Sequence, residues 1–159
     1  MTHTPAVARN LHDKFADSAF APGTVVVPLD GSSASEAALT MGCYLADAFG
    51  IDLRIVHAIE GEVGDSSEAV APFKRYVSEL LETSSAAGAR VTTEVTTGSA
   101  PEVILNAASA TDLIVIASHG RGGIKAVFFG SVADRVVRHA RGPVMVVPVT
   151  QNLMTPPIH

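Results

Sequence analysis

The chain has 159 residues, 47% of them hydrophobic and 17% charged, with a formal net charge of −5. That length suits one domain with a sizeable core, and the composition excludes an intrinsically disordered polypeptide. The negative balance leaves no basic stripe for a nucleic-acid backbone, and the lone Cys43 excludes an internal disulfide framework or a cysteine-based metal cluster.

No stretch approaches the ~18 consecutive apolar residues of a membrane span. Residues 1–22 lack the continuous apolar centre of a secretory signal and carry Asp13 and Asp17. The expectation is a soluble cytoplasmic protein without membrane insertion. Val7, Leu11 and Phe15 fall at helical spacing, so this extension is either a short amphipathic helix or a frayed terminus.

The first apolar run, Thr24–Leu29, reads as a buried strand and leads into Pro28-Leu29-Asp30-Gly31-Ser32. Ser33-Ala34-Ser35-Glu36 then has the form of a capping box. It opens a helix toward Gly50 with Ala34, Ala38, Leu45 and Phe49 on one face and Cys43 as a small buried apolar residue. Leu53–Ala58 is the second strand. The acidic segment Glu60, Glu62, Asp65 and Glu68 reads as a solvated loop, with a lid as the functional alternative. A second helix is expected over Glu68–Ala87, stopped by Gly88. Val91–Thr97 is more polar and alternates weakly, which suits an edge strand.

Ser99-Ala100-Pro101-Glu102 is a second capping box, with proline in the first turn where its missing N–H does no harm. Leu113–Ala117 is an unbroken apolar run. It enters the glycine-rich stretch Ser118-His119-Gly120-Arg121-Gly122-Gly123, and Gly130-Ser131-Val132 follows after an insert. The next helix runs from Ser131 and stops before Gly142-Pro143, with Arg138, His139 and Arg141 near its end, where cations complement the dipole. Val144–Val149 is the last strand, and residues 150–159 form an irregular tail. Regular alternation of strands and helices implies an α/β domain, mostly parallel, with right-handed crossovers and helices on both faces.

A buried strand, a glycine-rich loop and a helix N-terminus in succession form a common phosphate holder. Glycines let backbone amides converge, and the helix offers unpaired donors with a partial positive charge. Such sheets bind ligands beyond the carboxyl ends of their strands, where strand order reverses. The loop after the first strand and the glycine loop face each other across one crevice if strands one and four are neighbours. Three other phosphate and metal motifs are missing: G-x-x-x-x-G-K-[ST], G-x-G-x-x-G after the first strand, and His or carboxylate pairs with zincin spacing.

The remaining pattern resembles the universal stress protein family over about residues 23–149. The resemblance lies in Val25–Ser32, Val56-His57-Ala58 and Leu113–Val132. ATP-binding members carry G-x2-G-x9-G-[ST]; this sequence has Ala117-Ser118-His119-Gly120, the nine residues Arg121–Phe129, then Gly130-Ser131. Ala117 replaces the first glycine, adding a methyl and removing easy access to positive φ. The residues 1–22 are a second departure, since family members usually begin close to their first strand.

The resemblance implies a single-domain, Rossmann-like, adenine nucleotide alpha hydrolase-like sheet of strand order 3-2-1-4-5. It implies ATP as ligand, accompanied by Mg²⁺. The implied phosphate holders are Gly120, Gly130 and Ser131, with Arg121 able to pair with phosphate oxygens and Val132 continuing the loop into the helix. Asp30 would meet the ribose or a phosphate-bound Mg²⁺. Backbone groups of Ala58 would read the adenine edge, Pro28 and Leu29 would line the base pocket, and Ile116 and Ala117 complete the site from the fourth strand. The family also implies a homodimer through Val144–Val149, and a sensor role would act through an unidentified regulatory protein partner.

Each residue has a structural alternative. Ser131 also fits an N-cap with Asp134 completing a capping box, and Asp30 could cap the turn before Gly31. His57 reads as a satisfied buried imidazole, and His119 as either a plain loop histidine or a phosphate contact. No Ser-His-Asp order, catalytic cysteine or acid–base pair emerges, so the sequence indicates a nucleotide-dependent sensor with at most slow hydrolysis, for which Asp30 and His119 are the only candidates. The alternative is a nucleotide-free dimer acting only through protein contacts.

Overall fold

In a computed structural model describing residues 21–61, 67–84, 88–119 and 130–148, strands and helices alternate in sequence order. They are β1 (Thr24–Pro28), α1 (Ser33–Phe49), β2 (Asp52–Ile59), α2 (Ser67–Glu82), β3 (Val91–Thr97), α3 (Ala100–Ala107), β4 (Leu113–Ala117), α4 (Ser131–His139) and β5 (Val144–Val147). All strand pairings are parallel and the order is β3-β2-β1-β4-β5. The fold is therefore the five-stranded α/β sheet expected.

Two apolar layers hold it. Val25, Val27, Leu53, Ile55, Leu113 and Val115 pack on one face against Leu39 and Cys43 of α1 and Phe73 and Val77 of α2. Their alternates Val26, Val56, Ile114 and Ile116 pack on the other face against Val103 and Ile104 of α3 and Ala133 and Val136 of α4. Strands covered on both sides need apolar residues at successive positions, which is why β4 is buried throughout. β3 alternates half-buried with exposed residues, as an edge does. Burial raises the Cys43 thiol above its ordinary pKa, so it packs as a small apolar group. Among the described residues, no helix is long and apolar enough to cross a membrane.

Several element ends differ from expectation. The N-cap of α1 is Ser32, whose Oγ accepts from Ser35 N–H at 3.2 Å. Glu36 does not reach back to close the box; it accepts from Tyr76 Oη at 2.8 Å and ties α1 to α2. The buried stripe of α1 runs through Leu39, Cys43 and Ala46, while Leu45 and Phe49 are half-buried at its margin. α2 ends at Glu82 rather than Ala87, because Thr83 and Ser84 N–H turn back to Leu80 and Leu81 in tight i→i−3 bonds. Ser99 is the N-cap of α3, yet its side chain makes no capping bond and its Oγ is buried without a partner. α4 stops at His139, and β5 ends at Val147 rather than Val149, which lies outside the described residues. Residues 1–20, including Val7, Leu11 and Phe15, and Glu62 and Asp65 of the acidic segment also lie outside them.

Candidate functional site

The reversal of strand order falls between β1 and β4, and the pairing there is short. Register pairs join Val25 to Leu113 and Val26 to Ile114, whereas β1 and β2 share five pairs ending at Pro28 and Val56. Proline chemistry explains the difference. Leu29 N–H donates to Val56 O at 2.9 Å, so odd-numbered residues of β1 turn their peptide groups toward β2 and even-numbered ones toward β4. Pro28 therefore faces β4, and it has no N–H to give.

Past the end of β1 the backbone turns sharply. Gly31 takes φ 80°, a conformation glycine adopts without steric cost. Asp30 Oδ1 accepts from Ser32 N–H at 2.9 Å and from Ser32 Oγ at 2.5 Å. The turn-capping role expected as the alternative for Asp30 is thus present, and it fixes the carboxylate beside the start of α1. Ser35 Oγ donates to Ser32 O at 2.9 Å, closing this corner.

Flanking strands supply backbone groups. Alternation turns the N–H and C=O of Ala58 on β2 toward β1, beyond the point where β1 has ended. On β4, Ser118 N–H donates to Val147 O at 2.8 Å, so Ser118 faces β5 and its neighbour Ala117 faces β1. Among the described residues only glycines have positive φ, so the backbone at Ala117 does not require glycine. The residue is 8% exposed and packs into the α1 layer of the core. Ile116 packs on the opposite layer. The substitution at the first motif position therefore leaves the backbone of Ala117 in an ordinary conformation.

The start of α4 is built differently from that of α1. Gly130 N–H donates to Ser118 O at 2.6 Å, which binds the helix entry to the end of β4. Gly130 is the N-cap, with φ −57° and ψ 156°, and as a glycine it supplies no side-chain cap. Ser131 is the first helical residue, so the expectation that it could serve as N-cap with Asp134 is not met; Asp134 instead accepts from Arg138 Nε at 2.9 Å. The N–H groups of Ser131, Val132 and Ala133 thus have no intrahelical acceptor. Next to Ser118 in sequence, His119 turns its Nδ1 to Ser118 Oγ at 2.9 Å, while its Nε2 is buried with no hydrogen-bond partner. A helix start without a side-chain cap and an orphaned imidazole nitrogen, linked through the Gly130 N–H to Ser118 O bond, are groups that an anion would satisfy.

His57 has a partner for its Nδ1, as expected, but it is half-buried rather than buried. Its Nδ1 contacts Leu29 O at 2.7 Å, and its ring stacks on Phe73 of α2 with centroids 4.3 Å apart and planes at 17°. Pro28, Leu29, Asp30, Ala58, Ile116 and Ala117 therefore sit at neighbouring strand ends, with Gly130, Ser131 and Val132 joined to them through Ser118. Gly120 and Arg121 lie outside the described residues. The contact of His57 with Leu29 and the backbone role of Ser118 had no signal in the sequence, since both depend on which way peptide groups face.

The model of the universal stress protein family matches residues 23–148. A universal stress protein of Mycolicibacterium smegmatis is 32% identical over 156 residues, covering 90% of this chain and 51% of that protein. The chain spans about half the length of the curated relatives it first matches. A crystal structure of a universal stress protein in complex with cAMP is similar at 26% identity and TM-score 0.64, covering 81% of this chain and 98% of the other. That of the Archaeoglobus fulgidus protein in complex with dAMP is similar at 25% identity and TM-score 0.59, covering 79% and 96%. With the strand order, the glycine pattern and the family match in agreement, this chain belongs to the universal stress protein family.

Proposed function

We propose that the protein binds ATP at the carboxyl ends of β1, β2 and β4 and acts in the cytoplasm as a nucleotide-dependent regulator, with at most slow hydrolysis. The observation that carries this reading is the start of α4, where three N–H groups have no intrahelical acceptor and the Gly130 N–H to Ser118 O bond ties them to the residue before the orphaned His119 Nε2. Structures of similar proteins of this family are of complexes with cAMP and dAMP, which supports an adenine nucleotide.

In this reading Gly130, Ser131 and Val132 hold the phosphates together with Gly120 and Arg121. Backbone groups of Ala58 meet the base, and Pro28, Leu29, Ile116 and Ala117 form the walls. Among the described residues no group of three His, Cys, Asp or Glu side chains converges as a metal site. Mg²⁺ would therefore be held by the nucleotide's phosphates, with Asp30 as the protein carboxylate; its chemistry is charge neutralisation. Occupancy would order the segments around the crevice and change what a regulatory partner can bind.

Acid release from the purified protein followed by chromatography should identify an adenine nucleotide. Thermal unfolding with Mg-ATP at about 100 times its Kd should gain about 2.7 kcal/mol, or about 5–10 °C for a protein of this size. No released ligand and no shift would leave the nucleotide-free reading in its place.

We further infer a homodimer through β5. Val147 pairs toward β4, so Val144 and Val146 turn their peptide groups outward along the sheet edge, where Met145 is 36% and Val137 of α4 is 42% exposed. An apolar strand with open rungs invites a second copy. Sedimentation equilibrium should give twice the monomer mass at micromolar concentration, and a monomer would remove the inference.

A further inference from the structure

We infer that His57 is a positioning residue that ends the β1–β2 ladder one rung early and so keeps the peptide groups of Ala58 available to read a base. This deepens the nucleotide reading above and rests on it for the identity of the ligand.

In a parallel ladder, the bond after Leu29 N–H to Val56 O is Ala58 N–H to Leu29 O. The first is present at 2.9 Å, and the second is not among the backbone bonds of the described residues. Leu29 O accepts instead from His57 Nδ1 at 2.7 Å. Because a carbonyl only accepts, Nδ1 carries the proton. The imidazole is in turn fixed by its stack on Phe73. Leu29 O, which can accept two bonds, thus takes one from the imidazole of the intervening residue and none from Ala58 N–H among the described residues, and the sheet stops where a ligand can continue it.

The consequence is specificity. A backbone N–H beside a backbone carbonyl matches adenine, which sets a ring-nitrogen acceptor beside its N6 amino donor. Inosine presents a carbonyl where adenine has the amino group, so two acceptors would meet. Phosphate binding near α4 involves none of these atoms.

His57→Phe keeps an aromatic ring against Phe73 but removes the donor, and His57→Asn restores an N–H close to the Nδ1 position. Amide hydrogen exchange of the ligand-free proteins reads the ladder directly. Ala58 N–H should exchange at least about tenfold more slowly in His57→Phe than in the wild type or His57→Asn, as it closes onto Leu29 O. Calorimetry with ATP, inosine triphosphate and inorganic tripolyphosphate reads the base. ATP should bind the wild type and His57→Asn about tenfold more tightly than His57→Phe, with tripolyphosphate equal for all three.

Equal Ala58 exchange in wild type and His57→Phe would overturn the ladder assignment. Equal ATP preference over inosine triphosphate in both would overturn the specificity role. A wild type that binds none of the three probes would refute the nucleotide reading and the base role with it, while the exchange comparison would still decide what His57 does to the sheet.

Discussion

Gly130→Val is expected to weaken nucleotide binding on the order of a hundredfold while leaving the fold intact. Its φ of −57° and ψ of 156° lie in a region open to valine, so the backbone need not move. Gly130 N–H can still donate to Ser118 O. What changes is access, because a branched side group would stand at the N-cap, beside the N–H groups of Ser131, Val132 and Ala133 that have no intrahelical acceptor. Valine is also a poor N-cap, and that alone costs about 1 kcal/mol of helix stability. Loss of the phosphate contacts should weaken ATP by a factor on the order of a hundred, corresponding to about 2.7 kcal/mol. The measurement is calorimetric titration of wild type, Gly130→Ala and Gly130→Val, with thermal melts of each without ligand. Unchanged ATP affinity in a folded Gly130→Val protein would remove α4 from the site.

The architecture was legible because both sheet faces are covered. β1 and β4 read as unbroken apolar runs, β3 announced itself as an edge by its threonines, and the family pattern supplied the strand order. Element ends were harder, since each turns on one hydrogen bond. The box pattern pointed to Ser33 as the N-cap, and the choice of Ser32 follows from Asp30 anchoring its N–H and Oγ. Likewise, Ser131 looks like a cap until Gly130 is drawn onto Ser118 O and takes that position itself. Pro28, Asp30 and Ala58 were legible as candidates from the motif. The direction of their peptide groups was not, because alternation must be counted from an observed bond such as Leu29 N–H to Val56 O.

Enlarging Gly42 should produce the largest loss of stability. This residue lies in the middle of α1, on the face that meets β1, where no turn or cap gives a reason for glycine. The reason is contact: a Cβ built there would lie 2.4 Å from Val27 Cγ2 and 3.6 Å from methyl carbons of Val25 and Leu53. Val27 is fully buried and β-branched, so it has neither space nor an easy rotamer to escape into. Helix propensity favours alanine over glycine by about 1 kcal/mol, but overpacking a filled core costs about 1–3 kcal/mol. Gly42→Ala should therefore be neutral to mildly destabilising, and Gly42→Val should lose about 3 kcal/mol or more because its branches drive α1 off the sheet. That corresponds to about 6–12 °C in the melting temperature. A double-mutant cycle isolates the cause. Val27→Ala removes the clashing methyl and leaves a void of its own, so Gly42→Ala in that background should fill space rather than collide. The pair should be at least about 1 kcal/mol more stable than the sum of the single variants. Strict additivity would mean that the glycine is not set by Val27, and that the close approach of α1 to the sheet has some other cause.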